Sequence, residues 1–229
     1  LCHTGEKVFA WLQTPVKRSV TEPSKELIRR GVSELSGSFD PLWGGFGPAP
    51  RFPTPHNLLF LMYYAALEQD KNALQMALKT LESMARGGIY DHIAGGFSRY
   101  STDEQWLIPH FEKMLYDNAL LICAYTEACR MTEEPRFLMV IRETVSYVLR
   151  ELTDEHGGFY CGQDADSDGV EGKYYALTPA EVYSVLGKED GAAFCRFFNI
   201  TEKGNFEGKS IPNLLGQEQI KDRNMTILC

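Results

Sequence analysis

Apolar residues recur along this chain in two alternating styles. Residues 24–36 set Leu27, Ile28 and Leu35 among charges, the pattern of a helix with one apolar face. Residues 56–68 are apolar nearly all round (Leu58, Leu59, Phe60, Leu61, Met62, Tyr63, Tyr64). Residues 72–86 return to a single stripe of Ala73, Met76, Ala77, Leu81 and Met84. Residues 111–131 are again apolar over most of their length. Residues 135–152 are striped, with Phe137, Leu138, Ile141, Val145, Val148, Leu149 and Leu152. A helix apolar on every side is buried on every side, whereas a striped one lies at the surface. The pattern therefore predicts helices in the order outer, inner, outer, inner, outer.

The connections alternate as well. Inner-to-outer links are short, near Gln69 to Lys71 and Thr132 to Pro135, and predict antiparallel helical hairpins. Outer-to-inner links are long, about 37–54, 87–109 and 153–177. Each holds a Gly-Gly-Phe: Gly44-Gly45-Phe46, Gly95-Gly96-Phe97 and Gly157-Gly158-Phe159. If the helices run up and down, all three long links gather at one end, where the inner helices begin. Long loops on a rigid scaffold are where function usually sits. Thr54-Pro55 predicts an N-cap with proline at the first helical position, and Thr178-Pro179-Ala180-Glu181 predicts a capping box. In the third link, Phe159-Tyr160-Cys161 and Lys173-Tyr174-Tyr175 are predicted to flank a β-hairpin. Beyond Asn205 the sequence is polar and weakly patterned. The expected architecture is an all-α toroid of helical hairpins with a small β-hairpin in a long loop. About two and a half hairpins are visible, an incomplete arc; a helical solenoid shares the same periodicity.

Composition narrows the function classes. Of 229 residues, 44% are hydrophobic and 24% charged, ordinary for a soluble globular chain. A formal net charge of −8 argues against affinity for nucleic acid or an anionic membrane. The longest apolar run, about Leu58 to Leu67, is too short to span a bilayer. No signal peptide is recognisable, and a cytoplasmic location is expected. The cysteines (Cys2, Cys123, Cys129, Cys161, Cys195, Cys229) form no C-x-x-C pair, so free thiols are expected rather than disulfides or a zinc site. Cys123 is expected to be inert core. No cofactor and no metal is expected.

The densest candidate chemistry lies in residues 87–117, G-G-I-Y-D-H-I-A-G-G-F-S-R-Y-S-T-D-E-Q-W-L-I-P-H-F-E-K-M-L-Y-D. Glycines allow close backbone approach, and ionisable groups beside aromatic faces suit a polar-ligand pocket. If a helix starts near His110, then His110, Lys113 and Asp117 share one stripe that Leu121 and Ala124 continue into the core. That trio reads as an acid/base and charge-binding cluster, or as an internally satisfied network that fixes the fold. His92 beside Asp91 is a second acid/base candidate, the alternative being a loop histidine bonded to backbone. His56 reads as structural. Tyr90, Arg99, Tyr100 and Trp106 could grip a hydroxylated or anionic ligand, and Arg51 in P-A-P-R-F-P more weakly. Asp164-Ala165-Asp166-Ser167-Asp168-Gly169-Val170-Glu171 starts like a calcium loop, but Tyr175 stands where the bidentate Glu belongs, which rejects an EF-hand. A tight turn presenting Asp164, Asp166 and Glu171 to a cavity is expected instead. Paired carboxylates can serve as acid and base in glycoside chemistry.

Three stretches carry a resemblance: G-G-F-G-P-A-P-R-F-P-T-P, the run at 87–117, and G-G-F-Y-C-G-Q-D-A-D-S-D-G-V-E-G-K-Y-Y. With the later S-I-P-N-L-L they resemble the spermatogenesis-associated, thioredoxin-domain-containing family, over about residues 24–215. The resemblance implies a partial (α/α)6 toroid at 21–229, similar to N-acylglucosamine 2-epimerases and six-hairpin glycosidases. Residues 1–20 match poorly; Leu1-Cys2-His3 is similar to a remnant of a thioredoxin-like active-site Cys-His, but no usable redox motif remains. Ser98 stands where the family usually has His, Gln163 where it often has Glu, and Arg51 where it usually has Lys. The implied function is carbohydrate-active, epimerase- or glycosidase-like. His92 and His110 would be the acid/base pair and Asp91, Asp117, Asp164 and Asp166 their carboxylate partners. Arg51, Tyr90, Arg99, Tyr100, Trp106, Lys113 and Glu171 would hold a sugar or sugar derivative. A non-catalytic scaffold serving a redox partner is the alternative. An open arc exposes apolar helix flanks, so a homo-oligomer is expected.

Overall fold

The computed structural model describes residues 2–13 and 24–217. The calls on Cys229 and on residues 14–20 therefore lie outside the described residues. Eight helices are described: α1 (Cys2–Leu12), α2 (Lys25–Ser38), α3 (Pro55–Glu68), α4 (Lys71–Arg86), α5 (Leu115–Thr132), α6 (Pro135–Glu151), α7 (Pro179–Leu186) and α8 (Lys188–Phe197). Helix α1 lies in the N-terminal segment, for which no helix was predicted.

Helix ends follow the local chemistry. Ser24 caps α2 by accepting from the Leu27 N–H, and Asp70 caps α4 by accepting from Asn72 and Ala73. Thr178 and Glu181 form the expected capping box on α7. Thr54 does occupy the N-cap of α3, with Pro55 following, but its left-handed backbone (φ 42°) leaves it without a side-chain cap bond.

Helices α3 and α5 pack against each other as the inner pair, and α4 and α6 close a hairpin on each. Their shared core runs through Leu58, Leu61, Met62, Leu81, Leu121, Tyr125 and Phe137. Helix α2 lies beside α4. Helices α7 and α8 make a third hairpin around Val182, Phe194, Cys195 and Phe198.

The three long links are stitched into one layer. Arg51 and Ser101 exchange backbone hydrogen bonds, joining the first link to the second. Two-residue strands β1 (Tyr100–Ser101) and β2 (Pro109–His110) pair within the second link. Strand β3 (Lys113–Met114) pairs with β4 (Gly162–Gln163), joining the second link to the third. Strands β5 (Asp166–Ser167) and β6 (Val170–Glu171) form the hairpin, around Asp168-Gly169 with both φ positive. A hairpin therefore exists in this link, but not between the predicted strands: Phe159, Tyr160 and Cys161 bond instead to Thr153, Leu152 and Leu115, and residues 173–175 form no strand. Residues 205–217 are ordered against the rest: Ser210 pairs with Leu177, and the Leu214 N–H donates to the Arg86 carbonyl.

Candidate functional site

One turn is built three times, once in each long link. Asp40 exchanges backbone bonds with Gly44 and Gly45, Asp91 with Gly95 and Gly96, and Asp154 with Gly157 and Gly158. In each turn the Asp Oδ1 accepts two further N–H groups: Leu42 and Trp43, Ile93 and Ala94, His156 and Gly158. The Gly-Gly-Phe that follows closes an antiparallel bridge, Phe39 to Phe46, Tyr90 to Phe97 and Thr153 to Phe159. Gly96 shows why glycine is needed: φ is +82° and a Cβ would meet the Tyr147 ring at 2.4 Å.

The free oxygen of the first two aspartates takes a buried cation. Asp40 Oδ2 accepts from Arg51 Nη2 at 2.8 Å, and Asp91 Oδ2 from Lys113 Nζ at 2.8 Å. Arg51 also donates to the Gly44 and Glu104 carbonyls. Lys113 donates to the Gly95 carbonyl and lies 4.4 Å from the Tyr147 ring centroid and 4.9 Å from that of Tyr175. Burial works against the Asp91 anion, but Lys113 and the two N–H groups hold its pKa below the usual carboxylate range.

Several candidates are thus committed to the fold. The helix expected from His110 begins instead at Leu115, because Pro109 to Met114 are recruited into β2 and β3. His110, Lys113 and Asp117 therefore share no helical stripe. Trp106 is fully buried, and its Nε1 donates to the Trp43 carbonyl at 3.0 Å. Arg51 is 4% exposed and Lys113 1%. Tyr90 donates to Glu143. His92 Nε2 lies 3.0 Å from the Gly87 carbonyl, and burial pushes its pKa down to about 4, so the ring is neutral at physiological pH. It lines a small cleft of about 20 Å³ with Tyr90, Asp91, Ser98, Tyr174 and Tyr175. Gln163 accepts from the Tyr147 hydroxyl at 2.9 Å. Cys123 is exposed rather than core, and Cys123, Cys129, Cys161 and Cys195 are free.

Of the remaining candidates, Tyr100, Glu171 and Arg99 gather around His110. Its Nδ1 lies 3.0 Å from Glu171 and its Nε2 3.8 Å from Glu112, with the Tyr100 ring stacked on it at 5.1 Å. Glu112 is ion-paired to Arg99 at 2.8 Å. Asp166 faces Glu171 across the β5–β6 hairpin, and Asp164 accepts from the Asp166 N–H; both aspartates are exposed. Asp117, in the first turn of α5, is 9% exposed, and its buried Oδ2 accepts no hydrogen bond. Burial pushes its pKa up to about 6; Glu112 adds to the rise and Arg99 opposes it. Glu112 was missed in the sequence, although its place between His110 and Lys113 was signal enough. Among the described residues no cluster of His, Cys, Asp and Glu could hold a metal ion. No helix there is long and apolar enough to cross a membrane.

This arrangement of inner and outer helices is that of the (α/α)6 toroids found in sugar epimerases. Cellobiose 2-epimerase from Bacillus thermoamylovorans superposes with a TM-score of 0.52 at 13% identity, over 74% of this chain and 53% of that one. The enzyme of that name from Spirochaeta thermophila gives 0.51 at 20% identity, over 63% and 42%. The chain is thus a partial (α/α)6 toroid. In sequence it is similar to spermatogenesis-associated protein 20, with 40% identity to the mouse protein over 215 residues and 41% to the human protein over 227. These matches cover 86% and 90% of this chain but only 27% and 29% of those relatives. No family model matches the chain.

Proposed function

We propose that this chain supplies a sugar-binding, acid/base site of a carbohydrate-active toroid, epimerase- or glycosidase-like, in the spermatogenesis-associated, thioredoxin-domain-containing family. The similarity in sequence supports the family, and the free thiols of Cys123, Cys129, Cys161 and Cys195, among the described residues, fit a cytoplasmic location. Asp117 carries the functional reading. A carboxyl with its pKa near 6 and one unpartnered oxygen is protonated often enough at neutral pH to give a proton, and ionised often enough to take one. It stands at the start of an inner helix, beside Arg99 and Glu112. The stacked Tyr100 and His110 present an aromatic face to a sugar ring, and Arg99, Glu112 and Glu171 offer polar contacts to hydroxyls. His110 and Asp117 are the proton carriers in this reading, and His92 is structural.

The test is incubation of the chain with reducing mono- and disaccharides in D₂O, followed by NMR. An epimerase that abstracts a carbon-bound proton exchanges it for deuterium, and a glycosidase releases a new reducing end. Asp117→Asn is expected to lower either rate by about 10²-fold or more. If no sugar is exchanged, cleaved or bound, the reading is wrong. A non-catalytic scaffold is favoured by one observation: Asp91, His92, Trp106 and Lys113 spend their polar groups on partners within the fold. Sugar binding without turnover would support that second reading.

A further inference from the structure

We propose that the His110 site selects a sugar bearing a protonated amine over neutral and phosphorylated sugars, an inference that rests on the sugar-binding reading of the same site. Its charges are unbalanced. Arg99 is the permanent cation of the cluster, and Glu112 already engages it at 2.8 Å. The carboxyls of Glu171, Asp166 and Asp117 remain beyond that pair. Glu171 and Asp166 face each other directly across a two-stranded hairpin, an arrangement in which like charges repel. His110 alone is seated between Glu171 and Glu112, and it is cationic only when protonated.

Neighbouring lysines do not relieve this. Lys113 is bonded to Asp91 and the Gly95 carbonyl, and Lys173 to Asp168. A phosphate would add negative charge to a site already in excess of it. An ammonium brings one positive charge and three donors, the complement of a carboxylate cluster. Asp117 is a second, independent pointer to such a ligand. It is nine-tenths buried, its charge interacts with Arg99 and Glu112, and its Oδ2 is an acceptor without a donor, while the buried Arg99 Nε is a donor without an acceptor that a sugar hydroxyl could fill. A ligand N–H would supply the donor. A neutral sugar hydroxyl could do so too, but without relieving the charge, so selectivity between the two measures the electrostatics alone.

The experiment is isothermal titration of the chain at pH 7 with three matched pairs: glucosamine and glucose, mannosamine and mannose, galactosamine and galactose. Glucose 6-phosphate and N-acetylglucosamine serve as controls. At least one amine is expected to bind about 10-fold tighter than its neutral partner, which corresponds to about 1.4 kcal/mol. That preference should fall in high salt, and glucose 6-phosphate should not compete. Glu171→Gln and Asp166→Asn should each narrow the amine-to-neutral ratio. Equal affinity within every pair would overturn the charge selection and leave the sugar reading standing. Binding of no probe at all would remove the sugar reading and this inference with it.

Discussion

Asp117 is where a single side chain has the largest measurable consequence. Its folded pKa, about 6, lies above the ordinary 3.8, with burial as the main cause. The folded protein therefore holds this proton more tightly than the unfolded chain does. The stabilisation is fully present below pH 3.8 and is lost as pH rises through about 6. Asp91 has the opposite sign: its depressed pKa gives stability that is lost in acid. The difference between wild type and Asp117→Asn isolates the first effect. The variant is expected to be more stable at pH 7.5 by about 1 kcal/mol, with the gain shrinking toward pH 4.5. Urea midpoints at the two pH values check it; equal differences at both would show that Asp117 does not titrate between them. The unpartnered oxygen was invisible in the sequence. Spacing placed Asp117 near the start of an inner helix, but its burial and the opposing charges of Arg99 and Glu112 are set by tertiary packing of the second long link.

At the scale of elements, the repeated turn explains what the sequence could and could not reveal. The three Gly-Gly-Phe triplets were legible because Gly44, Gly45, Gly95, Gly96 and Gly157 hold positive φ, which favours glycine, and they located all three long links. The helices were legible because their apolar stripes face a common core. The misplaced start of α5 has a physical reason: residues 109–114 have helical spacing, but their backbone groups are claimed by Tyr100, Ser101, Gly162 and Gln163. Tertiary pairing of that kind overrides local pattern. The same cause turned Lys113 from a ligand-binding candidate into a clamp equivalent to Arg51 in the preceding turn. Both cations sit shortly before an inner helix, and both neutralise the Asp that opens a turn. Lys113→Met leaves Asp91 buried beside two aromatic rings without its cation. It is expected to cost about 3 kcal/mol, a loss of roughly 6–12 °C in Tm for a chain of this size. Thermal denaturation followed by circular dichroism measures it. A loss below about 2 °C would mean that the two backbone N–H groups suffice to hold Asp91 and that the clamp is dispensable.

The whole molecule is an arc whose inner helices are not covered on every side. Tyr63 and Leu67 on α3 are 54% and 83% exposed, and Leu120 on α5 is 41% exposed. The sequence marked both helices as apolar all round, which is the signature of full burial. The uncovered positions are therefore those at which pattern and structure disagree. Helix α1 adds Phe9 and Trp11, 63% and 75% exposed. Exposed apolar side chains on a helix flank favour association, and we propose that the chain self-associates through the flank of α3. The charge of −8 does not prevent this, because the flank carries few of the acidic residues: α3 holds only Glu68, at its end. Size-exclusion chromatography with light scattering at micromolar concentration should give a mass of at least twice 25.9 kDa. Tyr63→Glu with Leu67→Glu should return the mass to that of one chain, since each burial forgone removes about 1.5–3 kcal/mol from the contact and each new charge must be desolvated to restore it. A wild-type chain that is monodisperse at the mass of one copy would overturn self-association. An oligomer that the double variant leaves intact would move the contact away from α3, with Phe9 and Trp11 of α1 as the next surface to charge.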